Sequence, residues 1–372
     1  MKMQTRAKEN KMVSPYFLFF LIHSSQTGIT VLKYQSKIIK GAGQDAWISV
    51  LLIGLSMHLV FLMMIYILKH ASEKDIISFH TDTFGKFMGG MLNMMMVCYF
   101  LLAGLLVMHS YIDILQIWVF EGINAWEFSL LLCIITYYLI AGGFRVISGI
   151  AFWGVIIPSG LLLSAFYLLS YSEYSYLMPF FNHGIKDYIL SAKESGPLFF
   201  GFETMLVYFP FIKNSEKSRK WGHFALLYTT ILYLVITITT FSFFTQGKLK
   251  LLTWPTLTMI KIISFPFLER FEFIFLFTWL LVIIPPICLY LWASIRAIKL
   301  TFINIKPTWA LFFFLLCYFL YDSILVDMYF TQVLTKLFSY SGFIFLFGYI
   351  PLLFIIAFIK TKIKNRSIRH NR

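Results

Sequence analysis

Charge is what this chain has least of. Only 13% of its 372 residues are Asp, Glu, Lys or Arg, against about 25% in an ordinary soluble domain. Acids are the scarcer sign: 17 Asp and Glu stand against 31 Lys and Arg, a formal net charge of +14. Cysteine is also sparse. Cys98, Cys133, Cys288 and Cys317 lie in apolar stretches, with no CxxC and no His at ligand spacing, which argues against a disulfide framework or a cysteine-held metal. No HExxH, no phosphate-cradling Gly loop and no Ser/His/Asp order occurs, so neither enzyme activity nor a cofactor is expected. His23, His58 and His109 sit in apolar segments away from metal spacing, and each reads as a satisfied buried imidazole.

Apolar length is what the chain has in excess. Hydrophobic residues make up 59% of it, with 42 Phe and 21 Tyr. Nearly all of this falls in stretches able to cross about 30 Å of hydrocarbon at about 1.5 Å per residue. The expectation is one all-α integral membrane domain in a lipid bilayer over residues 14–360, with an N-terminal tail at 1–13 and a basic C-terminal tail at 361–372. Ten transmembrane helices are placed at 14–40, 46–69, 87–117, 125–142, 145–170, 197–213, 220–246, 271–303, 307–326 and 339–360. Counting loops alternately from the inside collects most of the Lys and Arg on one face, the bias that marks the cytoplasmic side. Both termini are then cytoplasmic. The positive balance needs no nucleic acid, and the run from Lys360 to Arg372 becomes a basic lip on anionic lipid. The charged N-terminus lacks a small-residue cleavage site, so the first helix is expected to be retained.

Two of the ten segments are interrupted. SSQTGITVL (Ser24 to Leu32) breaks the first, and GPLFFGFETML (Gly196 to Leu206) breaks the sixth. Lipid offers no hydrogen bonds, so a helix unwinds at membrane depth only where its freed N–H and C=O groups meet other partners. Interrupted segments at matching places in two halves point to a midplane binding site. Ten helices divide five and five, the breaks open each half, and an odd number per half inverts the second. The pattern is a five-plus-five inverted repeat, the architecture of one large transporter class.

Around the first break, Gly28 offers a bare backbone, and Ser25, Thr27 and Thr30 offer hydroxyls for a small ligand. A Gly28 that merely lets two helices approach is the competing reading. Around the second, Gly201 repeats the backbone role, Thr204 adds a hydroxyl, and Phe200 and Phe202 are placed to close over an apolar group. Glu203 is an acid inside a span, which is expensive and marks function by default. It would neutralise a ligand ammonium, carry a proton or hold the unwound backbone. Pro285-Pro286 is expected to kink the eighth helix, and Glu269, Arg270 and Glu272 to pair at its outer end. Segments 171–195 and 248–270 read as outer loops with a short helix near 183–192 and a helical cap around Trp254-Pro255 and Phe265-Pro266.

GAGQDAWIS (Gly41 to Ser49), GFETML (Gly201 to Leu206), LTWPTLTMI (Leu252 to Ile260) and FLERFEFIFLFTW (Phe267 to Trp279) follow one another along these ten segments. In that order and spacing the chain resembles the B subunits of spore germination nutrient receptors, within the amino acid–polyamine–organocation transporter superfamily. The resemblance implies a LeuT-like fold and a pocket for a small-molecule germinant such as an amino acid. It also implies assembly with A and C receptor subunits in the spore inner membrane. It further suggests that the third helix lines the pocket, which makes Ala103 a candidate contact beside Tyr99. Family members often carry Gly-x-Gly in the first break, whereas this chain has Gly28-Ile29-Thr30, so a smaller or more polar pocket is expected. Three functions stay open: a receptor subunit, an ion-coupled amino acid transporter, and a scaffold with a vestigial pocket. The near-isolation of Glu203 at midspan favours the receptor over ion coupling.

Overall fold

The computed structural model of the chain describes residues 9–120, 122–264, 270–302, 304–325 and 327–370. Among these, regular structure is helical throughout, apart from one parallel bridge between Val13 and Ile212. The first segment divides into α1 (Phe17–Gln26) and α2 (Gln35–Ala42), separated by an extended Gly28 and a short turn at Ile29–Leu32. The long membrane helices follow as α3 (Ala46–His70) and α4 (Ile76–Trp118), then α5 (Ala125–Ala141), α6 (Phe144–Ser159) and α7 (Leu163–Leu169). After a loop, α8 (Ile185–Ser195) leads into the second break and α9 (Met205–Tyr208). The remainder is α10 (Ser215–Phe243), α11 (Gln246–Leu251), α12 (Pro255–Ile260), α13 (Phe271–Thr301), α14 (Pro307–Leu320), α15 (Met328–Phe343) and α16 (Ile350–His370).

Among the described residues, six helical runs are long and apolar enough to cross a membrane: 35–70, 76–118, 215–243, 271–301, 307–325 and 328–363. Phe17–Gln26, Ala125–Ala141 and Phe144–Ser159 are apolar but shorter. A membrane protein of all-helical class is therefore what this sequence folds into. At the centre, α13 packs most extensively against α4 and α6. Its Pro285 and Pro286 lie within the helix and are buried.

The structure moves one helix start from the position expected. A short helical stretch opens at Ile76, where Asp75 accepts a hydrogen bond from the Ser78 amide at 2.8 Å, and it ends in a kink at Gly85 (φ +79°), beyond which the third helix runs from close to the expected residue 87. The last helix begins at Met328 rather than 339. Asp327 caps it through the Phe330 amide at 3.1 Å, and a wide turn at Ile344–Tyr349 joins α15 to α16. Polar side chains on the exposed face of TQVLTKLFSYS obscured this helix in the sequence.

The loops around α8 and α12 are tied to the first segment and the turn after it. Asp45, in GAGQD, accepts from the Asn182 amide at 3.2 Å, from His183 Nδ1 at 3.1 Å and from the Tyr188 hydroxyl at 3.2 Å. Ser191 on α8 donates to the Ile38 carbonyl at 2.6 Å. Thr256 on α12 accepts from Gln35 at 2.8 Å, fixing the cap over the first break. Phe265, Pro266 and Glu269 lie outside the described residues, while Arg270 pairs with Glu272 at 3.1 Å as expected.

Candidate functional site

Unwinding a helix frees backbone groups, and this fold supplies a partner for several of them. The Tyr233 hydroxyl on α10 reaches the Gln26 carbonyl at 2.9 Å and the Leu198 carbonyl at 3.1 Å, one from each break. Gln26 Nε2 donates to the Phe199 carbonyl at 3.0 Å. The Gly201 amide donates to Glu203 Oε2 at 2.7 Å, and the Tyr99 hydroxyl on α4 donates to Glu203 Oε1 at 2.7 Å. Thr27 and Ser25 hydroxyls donate to the His23 and Ile22 carbonyls at 2.7 and 2.8 Å. Tyr34 then reaches the Tyr233 carbonyl at 2.8 Å, tying the outer half of the first segment to α10. In a membrane interior each such bond removes a several-kcal/mol penalty, of order the cost of an unsatisfied backbone group.

The two glycines turn out to differ. Gly201 has φ +115°, a region that disfavours any side chain, and a Cβ there would overlap the Ser25 carbonyl oxygen. It lets the two breaks touch. Gly28 is extended at φ −154°, a conformation open to any residue, and a Cβ there meets nothing within 4 Å. Its freedom from a side chain therefore leaves space empty rather than permitting the turn.

That space is a cavity of about 290 Å³ bordered by the first break, α4, α8, α13 and α15. Of the sequence-derived residues, Ser25, Thr27, Gly28, Thr30, Ala103 and Phe200 line it. Gly201, Glu203 and Thr204 do not. They stand behind the lining, where Glu203 is fully buried and Thr204 donates to the Gly201 carbonyl at 2.8 Å. Phe202 is likewise buried, and only Phe200 faces the cavity. The arrangement suits a small solute held by backbone and hydroxyl groups, with aromatic rings of Phe200, Phe338 and Tyr290 around it.

Sequence reasoning missed the far wall. Thr335, Lys336 and Phe338 line the cavity from a part of α15 placed before the tenth helix, Ser339 and Tyr340 join them from its expected first residues, and none of these nor Lys33, Lys37 and Lys193 was singled out. The tenth segment's polar run TKLFSYS was the available signal.

Outside the cavity lining, the stretch before α1 pairs with the chain after α9. Val13 and Phe211 share a backbone bond at 2.9 Å, and the Lys213 amide returns one to Val13 at 2.9 Å. Arg296 covers the Phe211 ring at 4.6 Å and approaches Asp75 at 3.8 Å. Burial pushes the Asp75 carboxyl above its ordinary range, while the Ser78 bond and the Arg296 charge pull it back.

All three histidines have partners, and His23 and His109 are buried as expected, whereas His58 is only half-buried. His23 Nδ1 lies 2.8 Å from Thr229, His58 stacks on His223 with the Nδ1 atoms 2.8 Å apart, and His109 meets Asp322 at 2.9 Å. Asp322 also accepts from Ser129 at 3.2 Å, a link between α4, α5 and the end of α14 that spacing did not reveal.

The family model described as spore germination protein matches residues 12–331. Spore germination protein GerQB of Bacillus cereus is 37% identical over 357 residues, covering 95% of this chain and 97% of the relative. Spore germination protein B2 of Bacillus subtilis (strain 168) is 22% identical over 74% of this chain and 75% of the relative. Spore germination protein A2 of the same strain is 23% identical over 69% and 72%. A match across nearly the whole length, carried on a helical membrane body with two interrupted segments, means that this chain belongs to the family of spore germination proteins.

Proposed function

We propose that this chain is the nutrient-binding membrane subunit of a spore germinant receptor. The observation that carries the reading is the cavity at the first break, to which helices from both halves of the chain contribute. In this reading the body is a ten-span, LeuT-like, five-plus-five inverted repeat in the spore inner membrane, with both termini cytoplasmic. The short apolar helices Phe17–Gln26, Ala125–Ala141 and Phe144–Ser159 join the six long runs, and the interrupted segment around the second break is the tenth span. A small nutrient, an amino acid by family resemblance, enters from the side of Lys193 and Lys336 and settles against Gly28, Thr30 and Ala103. Binding favours one arrangement of the bundle over another, and partner A and C subunits read the shift. A ligand produces such a shift only through its differential affinity for the two arrangements.

Glu203 weighs against the ion-coupled transporter. Both its oxygens are engaged, by Tyr99 and by the Gly201 amide, so it serves as a brace of the break. The test is uptake of a labelled amino-acid panel into proteoliposomes holding the full chain, with binding measured on the same preparation. Saturable binding without accumulation is expected. Accumulation driven by a proton or sodium gradient would overturn the receptor reading in favour of transport.

A further inference from the structure

The mouth of the cavity carries mostly one sign of charge. Lys33 and Lys37 follow the first break, Lys193 precedes the second, Lys336 arrives from α15, and all four line the cavity, Lys33 half-buried and the other three exposed. Glu194 is the acid that lines it with them, and Asp113 on α4 acts electrostatically on Lys33. Among the described residues none of these four lysines is in an ion pair. Two are seated on aromatic rings instead: Lys33 lies 5.0 Å from the Trp254 centroid, and Lys193 lies 4.9 Å from that of Tyr340. Such seats hold an ammonium in place without neutralising it.

Deeper in the lining, the groups are hydroxyls, amides and apolar side chains, and no acid reaches them because Glu203 stands behind. In the orientation proposed above, these lysines face outward. That runs against the bias that gathers basic residues on the cytoplasmic side, so topology gives no reason for them. Four like charges around one low-dielectric opening repel one another and concentrate anions there.

We infer that the cavity takes a small organic anion, a solute carrying one carboxylate or phosphate more than a neutral nutrient, with the extra group held by Lys33 and Lys336. This rests on the pocket reading, and its test separates the two. The full chain in nanodiscs is given paired probes, L-glutamate against L-glutamine and phosphoserine against serine, and equilibrium binding is measured. The anionic member of at least one pair binds about tenfold tighter or better, and high salt narrows the gap. A Lys33→Gln, Lys336→Gln double variant removes the preference while leaving the neutral member within about twofold, since surface-near charges act mainly on the charged probe.

Neutral probes binding as tightly as their partners, or a double variant that keeps the preference, would overturn the inference. If a neutral probe alone binds and Gly28→Leu blocks it, the anion inference fails and the pocket reading stands. If an anion binds through the lysines but ignores Gly28→Leu, the anion site stands and the pocket reading fails. Binding by none of the probes overturns the inference.

Discussion

Gly28→Leu is expected to abolish the nutrient response of spores while the protein still inserts and accumulates. The substituted side chain enters open space, since nothing lies within 4 Å of its Cβ position. Backbone strain is absent, because φ −154° suits any residue. What the leucine displaces is ligand: the residue lines a cavity of about 290 Å³, where added methylenes against a bound solute cost about 1–3 kcal/mol or more. That corresponds to a loss of about 5–150-fold in affinity. The check is dose–response germination of spores carrying the variant, with protein level and membrane fraction measured by immunoblot. A normal dose–response would remove Gly28 from the site.

Gly201→Ala should act in the opposite way, on folding rather than on ligand. Its φ of +115° and the overlap of any Cβ with the Ser25 carbonyl leave no room to relax without separating the two breaks. Strain at such a backbone position costs about 1–3 kcal/mol. Loss of the bonds that cross the contact adds to it. Separated breaks would expose the Gln26, Leu198 and Phe199 carbonyls now satisfied by Tyr233 and Gln26. The expected result is a protein that fails to accumulate, or that melts well below the parent in detergent, alongside a Gly28→Ala control that behaves like the parent. Equal melting of Gly201→Ala and parent would show that the breaks do not depend on that contact.

The two glycines show how far the sequence could be read. Both breaks were legible, because a polar Gly-containing run inside an apolar segment contradicts lipid and must be explained by other partners. Which glycine carries the turn was not legible, since φ is a property of the tertiary path. The sequence offered Gly28 and Gly201 alike for it, whereas the structure gives a positive φ to Gly201 and an open cavity to Gly28. Ser25, Thr27, Thr30 and Ala103 were recoverable from local spacing and family resemblance, and they do share one cavity.

Tyr233 was not recoverable. It sits mid-helix in α10, far along the chain from Gln26, and nothing in its neighbourhood marks it as the group that meets both breaks. The same holds for the pairing of His109 with Asp322, which joins residues 213 positions apart. The wall from α15 was hidden for a different reason: its helix is amphipathic at the edge of the bundle, and mixed polarity at a span's end resembles a loop.

In the proposed function the nutrient occupies the cavity beside the first break. This occupancy is tested most directly by placing a single cysteine at Thr30, which lines that cavity, in a background without the four native cysteines. Labelling by a membrane-impermeant thiol reagent is measured with and without a nutrient that germinates spores carrying the chain. The prediction is labelling that the nutrient suppresses in step with its germination dose–response. Labelling unchanged at saturating nutrient would contradict the account and place the binding event elsewhere.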